Sequence, residues 1–157
     1  MISIIQNNTG YAAQEQGLLF CLQNRPGRLQ NKTMLIYLND RLVDEEDARV
    51  SVYDHGFLYG DGIYETMRAY EGVVFMLEEH LRRLQRSALL IRLSLPPEEY
   101  IIDAVQATLQ ANALSDAYIR ITISRGKGPI GLDPALCNSP TLVIIAEPFH
   151  GYPPAYY

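Results

Sequence analysis

Tryptophan is absent from this sequence, cysteine occurs only at positions 21 and 137, and lysine only at positions 32 and 127. Two cysteines cannot build the disulfide framework of a small secreted domain, so a reduced chain is the simpler expectation. Basic charge is scarce as well: 13 Lys and Arg face 18 Asp and Glu, for a formal net charge of -5. No positive field is available to hold a phosphate backbone, which argues against a nucleic-acid partner. No apolar run approaches the roughly 18 residues that a membrane span needs. Residues 1–8 lack the basic and apolar regions of a secretory leader, so the expected location is cytoplasmic. His55, His80 and His150 have no metal-ligand spacing, and no metal site is expected.

The pattern of the chain divides it. Residues 1–33 are dominated by Gln and Asn, among them Gln6, Asn7, Asn8, Gln14 and Gln16, and carry no sustained apolar period. A flexible or weakly ordered extension is expected there. From Met34 the patterning is regular. Leu35-Ile36-Tyr37-Leu38, the turn residues Asn39-Asp40 and Arg41-Leu42-Val43 spell a β-hairpin. Residues 48–52 read as a further short extended piece, and Gly56, Gly60 and Gly62 punctuate a tight turn. Residues 63–70 alternate, with Ile63, Glu65, Met67 and Ala69 on one face and Tyr64, Thr66, Arg68 and Tyr70 on the other, as a strand requires.

Leu77, Leu81, Leu84, Ala88 and Ile91 recur at helical spacing, predicting a helix over 77–92. Pro97-Glu98-Glu99 opens a second helix whose stripe is Ile101, Ile102, Val105 and Leu109, with Asn112 as its stop. Residues 118–124 and 141–146 read as strands, joined by a loop punctuated by Gly126, Gly128, Gly131 and Pro134. Strands, two helices, then strands, mostly hairpin-linked, predict an α+β lobe in which two helices cover an antiparallel sheet. The expected organisation is an extension over 1–33, a folded lobe over 34–147, and the start of a linker over 148–157.

Three groups of residues could carry chemistry. The glycine-punctuated 56–62 segment feeds a strand, not a helix, which disfavours a dinucleotide cradle and leaves a plain turn as the alternative. Arg83 lies three residues after His80 and four before Ser87, on one helical face beside the apolar stripe. Its planar fork could bind phosphate, or it could be an ordinary solvated arginine. Tyr118 and Arg120 share one face of a strand, where a phenol beside a guanidinium makes a carboxylate receptor or simply a surface pair. Cys137 has no neighbouring histidine to activate it as a nucleophile.

Together these segments resemble a known family. Tyr53-Asp54-His55-Gly56-Phe57-Leu58-Tyr59-Gly60-Asp61-Gly62-Ile63-Tyr64-Glu65-Thr66-Met67-Arg68 is similar to the N-terminal motif of the class IV aminotransferases, the fold-type IV pyridoxal-phosphate enzymes. Glu79-His80-Leu81-Arg82-Arg83-Leu84 resembles their phosphate-arginine helix, and residues 125–134 resemble the loop of the branched-chain type. The resemblance covers 35–157 and implies the small N-terminal lobe of that fold. It implies that Arg83 binds the phosphate of pyridoxal 5'-phosphate, that Tyr64 lines the substrate pocket, and that Tyr118 and Arg120 receive substrate carboxylates. Tyr59 and Leu132 match positions that reach a neighbouring subunit's site, implying a homodimer; Phe149 and Tyr152 match pocket aromatics more loosely.

The D-amino acid branch keeps an arginine and a histidine where this chain has Ile130 and Leu132, so the apolar pair better suits a branched side chain. The family's Schiff-base lysine, the acid that meets the pyridine nitrogen and the turn that completes the phosphate cup have no match here. Lys32 and Lys127 do not fall at the catalytic position, so no catalytic residue is assigned in this chain. The expectation is therefore a lobe, inactive alone, of an enzyme moving an amino group between a branched-chain L-amino acid and 2-oxoglutarate. Aminodeoxychorismate lyase chemistry and a non-catalytic dimerisation or regulatory module stand as alternatives.

Overall fold

The computed structural model describes residues 33–149 and 151. The expected 1–33 extension, apart from Thr33, lies outside the described residues, as do Cys21, Lys32, His150 and Tyr152. Strands β1 (Leu35–Leu38) and β2 (Arg41–Asp44) form the predicted hairpin, with Asn39 in the left-handed conformation at φ 58°. A one-turn helix, α1 (His55–Tyr59), precedes β3 (Gly62–Tyr70) and the two-residue β4 (Val73–Val74). Helices α2 (Leu77–Leu90) and α3 (Glu98–Asn112) follow, then β5 (Ala117–Ser124) and β6 (Thr141–Pro148). The six strands make one sheet in the order β2-β1-β6-β5-β3-β4, antiparallel at every pairing.

The α+β layering follows from where the apolar side chains fall. Inward residues Ile119, Ile121 and Ile123 of β5, Ile144 and Ala146 of β6, and Met67 and Ala69 of β3 form the buried face of the sheet. Leu81, Leu84 and Ala88 of α2 and Ile101, Val105 and Leu109 of α3 meet that face. Each large aliphatic removed from water contributes about 1.5–3 kcal/mol, so this one layer contact carries most of the stability. Acidic Glu78-Glu79 and Glu98-Glu99 occupy the first turns of the helices, where the macrodipole favours them. No helix among the described residues is long and apolar enough to cross a membrane.

The structure departs from the sequence pattern in four places. Helix α2 stops at Leu90, two residues before the predicted end, and Arg92 takes the left-handed conformation at φ 51°. Residues 48–52 form no strand, because the turn after β2 and the buried cap at Asp54 pull them away from any sheet edge. The 56–62 segment contains a helical turn. Asp54 caps it by accepting from the Gly56 N–H at 2.8 Å, and Gly60 ends it at φ 70°. Five residues are too few to display a helical period in sequence. Strand β6 extends two residues past the predicted 146, with Pro148 paired opposite Ala117.

Asn112 ends α3, as its sequence position suggested, and also ties that helix to the sheet. Its side chain accepts from the Leu35 N–H at 2.8 Å and donates to the Leu35 carbonyl at 2.8 Å. It thus supplies to β1 the pair of hydrogen bonds that another strand would. Asn112→Ala is expected to lower stability by about 1–3 kcal/mol, since buried partners are left unpaired; urea unfolding checks this. At the other end of β1, burial and a hydrogen bond to Tyr100 push the Tyr37 phenol up from 10.0 to about 12. The unfolded phenol ionises first, so stability should fall as pH rises from 10 through about 12. Tyr37→Phe should lack this part of the alkaline slope in thermal melts across that window.

Candidate active-site face

Strand β3 sorts its side chains strictly by parity. Ile63, Glu65, Met67 and Ala69 are buried beneath the helices, while Tyr64 and Tyr70 are exposed on the opposite face. In register, Tyr64 lies opposite Thr122 and Thr66 opposite Arg120 on β5, and Arg68 lies opposite Tyr118. The three substrate-side candidates Tyr64, Tyr118 and Arg120 therefore share the open face of the sheet. The Arg120 guanidinium carbon stacks 3.9 Å from the centre of the Tyr64 ring. A cation over an aromatic face is held in place without being neutralised, so its N–H groups remain ready for an anion. Farther along the same face, Arg68 stacks in the same way over Phe149, at 3.9 Å.

A cleft of about 360 Å³ opens where this face meets α1, lined by Tyr64, Thr122, Phe57, Val143, Asp54 and Gly62. Its rim is built by backbone constraints. An alanine at position 56 would put its Cβ 2.6 Å from the Ser124 Cβ, and at position 62 its Cβ would lie 3.0 Å from the Ile123 carbonyl oxygen. Glycine at these positions lets α1 press against β5. Asp54, only 1% exposed, fastens the rim by accepting from Gly56 N–H and from the Thr141 hydroxyl at 2.7 Å.

The 125–137 loop follows β5 and is pinned to α1 and to the segment before β3. At its root Arg125, 7% exposed, binds both carboxylate oxygens of Asp61 and donates to the carbonyls of Ile91 and Arg92. Removing Asp61 would leave the buried Arg125 charge without its carboxylate, so the pair makes the loop's root a rigid anchor. The hydrogen bond to Asp61 is the main reason the Arg125 pKa is raised still further. Farther out, the His55 Nε2 lies 3.0 Å from the Pro129 carbonyl, and the Gly131 N–H donates to the Tyr59 hydroxyl at 3.0 Å. Tyr59 thus holds the loop whose tip presents Ile130 and Leu132 to solvent, at 74% and 83% exposure. Burial pushes the Cys137 thiol up, which disfavours its thiolate.

Arg83 lies elsewhere. Its guanidinium grips Glu65, the inward neighbour of Tyr64, through Nε to Oε1 at 3.0 Å and Nη2 to Oε2 at 2.8 Å. It therefore works on the helix-covered side of β3, while Tyr64, Tyr118 and Arg120 occupy the open side. His80, one turn earlier on α2, brings its Nδ1 to 2.9 Å from the same Glu65 Oε2. Sequence reasoning placed His80 and Arg83 on one helical face but did not supply the carboxylate they share. The signal was present: a glutamate between Ile63 and Met67 sits where strand parity calls for an apolar residue. Asp61 and Arg125 were missed as well, because their pairing spans 64 positions.

With this geometry in hand, comparison with known proteins is specific. Residues 62–157 match the amino-transferase class IV family. A Methanocaldococcus jannaschii protein provisionally named branched-chain-amino-acid aminotransferase is 55% identical over 116 residues, covering 73% of this chain and 40% of that protein. The aminodeoxychorismate lyase of Bacillus subtilis is 36% identical over 112 residues, covering 69% of this chain and 38% of that enzyme. Among solved structures, the branched-chain amino acid aminotransferase of Escherichia coli superposes with a TM-score of 0.70 at 32% identity, over 77% of this chain and 41% of its own. That of Thermoproteus uzoniensis, solved with norvaline, gives 0.67 at 39% identity, over 74% and 41%. The chain thus spans about 40% of the length of these relatives. Within that span, sequence and backbone agree: this chain belongs to the class IV aminotransferases, and its sheet and helices are a portion of the fold-type IV architecture.

Proposed function

We propose that these residues form the small lobe of a branched-chain-type class IV aminotransferase. It transfers an amino group between a branched-chain L-amino acid and 2-oxoglutarate, and works as a homodimer. The observation that carries the proposal is the open face on which Arg120, held over the Tyr64 ring, lies two residues from Tyr118. A guanidinium held over a ring and a nearby phenol supply the paired donors that orient a carboxylate. The exposed apolar tip formed by Ile130 and Leu132 suits a second subunit or an aliphatic substrate side chain better than a charged one. Tyr59, bound to the backbone of that loop, sets its position.

The cofactor belongs to the proposal too. Pyridoxal 5'-phosphate, when bound, supplies the electron sink for chemistry at the substrate α-carbon. Arg83 fits the task of phosphate ligand. Its side-on pair with Glu65 engages two of the five guanidinium N–H groups and leaves three on a side chain that is 62% exposed. Lys127 does not fit the task of carrying the cofactor. Its backbone bridges to Asp54 within the pinned loop, and its position matches no catalytic element. The amine that moves the α-proton is therefore assigned to polypeptide beyond these residues, and the 157-residue chain is proposed to be inactive alone.

The lyase reading keeps weight because the Bacillus subtilis relative covers a similar portion of the chain. One assay separates the readings. The product of the gene that carries these residues is expected to form glutamate from leucine and 2-oxoglutarate. Release of 4-aminobenzoate from aminodeoxychorismate, without glutamate formation, would decide for the lyase. The 157-residue chain, supplied with cofactor, is expected to do neither. In the active protein, Arg120→Met should lower kcat/KM for 2-oxoglutarate by about 10- to 100-fold, the worth of a charged hydrogen bond. Unchanged steady-state kinetics would remove Arg120 from the carboxylate site.

A further inference from the structure

Glu65 sits where the strand pattern should have placed an aliphatic residue. It is 5% exposed, between the buried Ile63 and Met67, and carries a carboxylate into the apolar layer under α2. Desolvating a carboxylate is expensive unless its oxygens are fully paired. Here they are. Oε1 accepts from Arg83 Nε at 3.0 Å, and Oε2 accepts from Arg83 Nη2 at 2.8 Å and from His80 Nδ1 at 2.9 Å. An ionised carboxylate only accepts hydrogen bonds, so the His80 hydrogen is on Nδ1. Arg83 is rooted on a helix whose apolar face is packed, while most of its long side chain is exposed. Left alone, that side chain would sample many rotamers. The buried carboxylate removes that freedom, because a fork-to-fork pair sets the plane of the guanidinium as well as its position.

We infer that Glu65, seconded by His80, is a positioning residue. It holds the Arg83 guanidinium side-on, so that the opposite edge, formed by Nη1 and the outer N–H of Nη2, is presented to a phosphate monoester. This rests on the reading of Arg83 as the phosphate ligand and assigns that ligand's orientation to a residue which itself touches neither phosphate nor substrate. The arrangement has a built-in opposition. The negative charge of Glu65 weakens the attraction of Arg83 for a phosphate, whereas its geometry strengthens it by ordering the fork before binding. The inference is that order outweighs charge. Preorganised donors gain because their ordering is complete before the ligand arrives.

Isosteric Glu65→Gln removes the charge and one half of the fork pairing; Glu65→Asp keeps the charge and withdraws it by one methylene. The experiment titrates the cofactor-free product of the gene that carries these residues with pyridoxamine 5'-phosphate and with pyridoxamine, neither of which carries an aldehyde to label lysines. The ratio of the two affinities reads the phosphate contribution. The Arg83 Nε–Hε NMR resonance reads the order of the fork in the free protein, and circular dichroism confirms folding. In the parent protein the phosphate should strengthen binding and shift the Arg83 resonance. Both Glu65 variants should lose about tenfold of that phosphate contribution, with the free Arg83 resonance collapsing toward that of a solvated arginine. In an Arg83→Lys background, which keeps charge without a fork, Glu65→Gln should cause no further loss. Equal or tighter phosphate-dependent binding in Glu65→Gln would overturn the inference and leave the Arg83 reading intact. A phosphate contribution that is absent from the parent protein, or that survives Arg83→Met, would instead overturn the Arg83 reading, and this inference with it.

Discussion

Successive side chains of a β-strand point to opposite faces, and the candidate site depends on that constraint at one peptide unit of β3. Tyr64 leaves the sheet on its open face and stacks under Arg120; Glu65 leaves it on the helix face and binds Arg83 and His80. Two guanidiniums are thereby held on opposite faces of the sheet by residues that are adjacent in sequence. A one-residue slip in the β3–β5 register would bury the phenol and expose the carboxylate. The slip is resisted by the inward run Ile63, Met67 and Ala69, packed against Ile119, Ile121 and Ile123. The apolar core is thus what keeps the polar residues in place.

Around this strand the site is stiffened by buried polar groups. Asp54 joins α1 to β6 through Thr141, and Arg125 joins the start of β3 to the end of α2 through Asp61 and two carbonyls. Among the described residues no buried side-chain nitrogen or oxygen lacks a partner. A fully satisfied network of this kind makes the rim of the cleft a fixed surface. The loop tip at Ile130 and Leu132 contrasts with it. Its apolar side chains stand in solvent on a backbone that His55 and Tyr59 hold from α1.

The relatives matched here are more than twice as long as the aligned span. A sheet with helices on one side and exposed Tyr64, Tyr118 and Phe57 on the other is a half-covered sheet. In the proposed enzyme the second half supplies the amine and the rest of the phosphate cup, while this half contributes orientation: a held guanidinium for carboxylates and a held guanidinium for phosphate. Neither arginine needs to take up or give up a proton to do so, since a guanidinium stays charged throughout the working pH range.

The sequence by itself determined the elements and their faces. Helical periods in 77–92 and 98–112 and strict alternation in β3 and β5 are local consequences of backbone geometry, readable wherever apolar residues report burial. The same alternation put Tyr118 beside Arg120, and helical spacing put His80 beside Arg83. Only the tertiary structure decided what those pairs meet. Glu65 is 18 positions from Arg83, Asp61 is 64 from Arg125, and Asn112 is 77 from Leu35. Contacts at such separations are set by how layers pack: strand parity marks Glu65 as a charge on the buried face, but nothing local names the partners it meets. The α1 turn escaped the pattern for a related reason: its five residues are held as a helix by the Asp54 cap and by packing against Ser124, not by a period of their own.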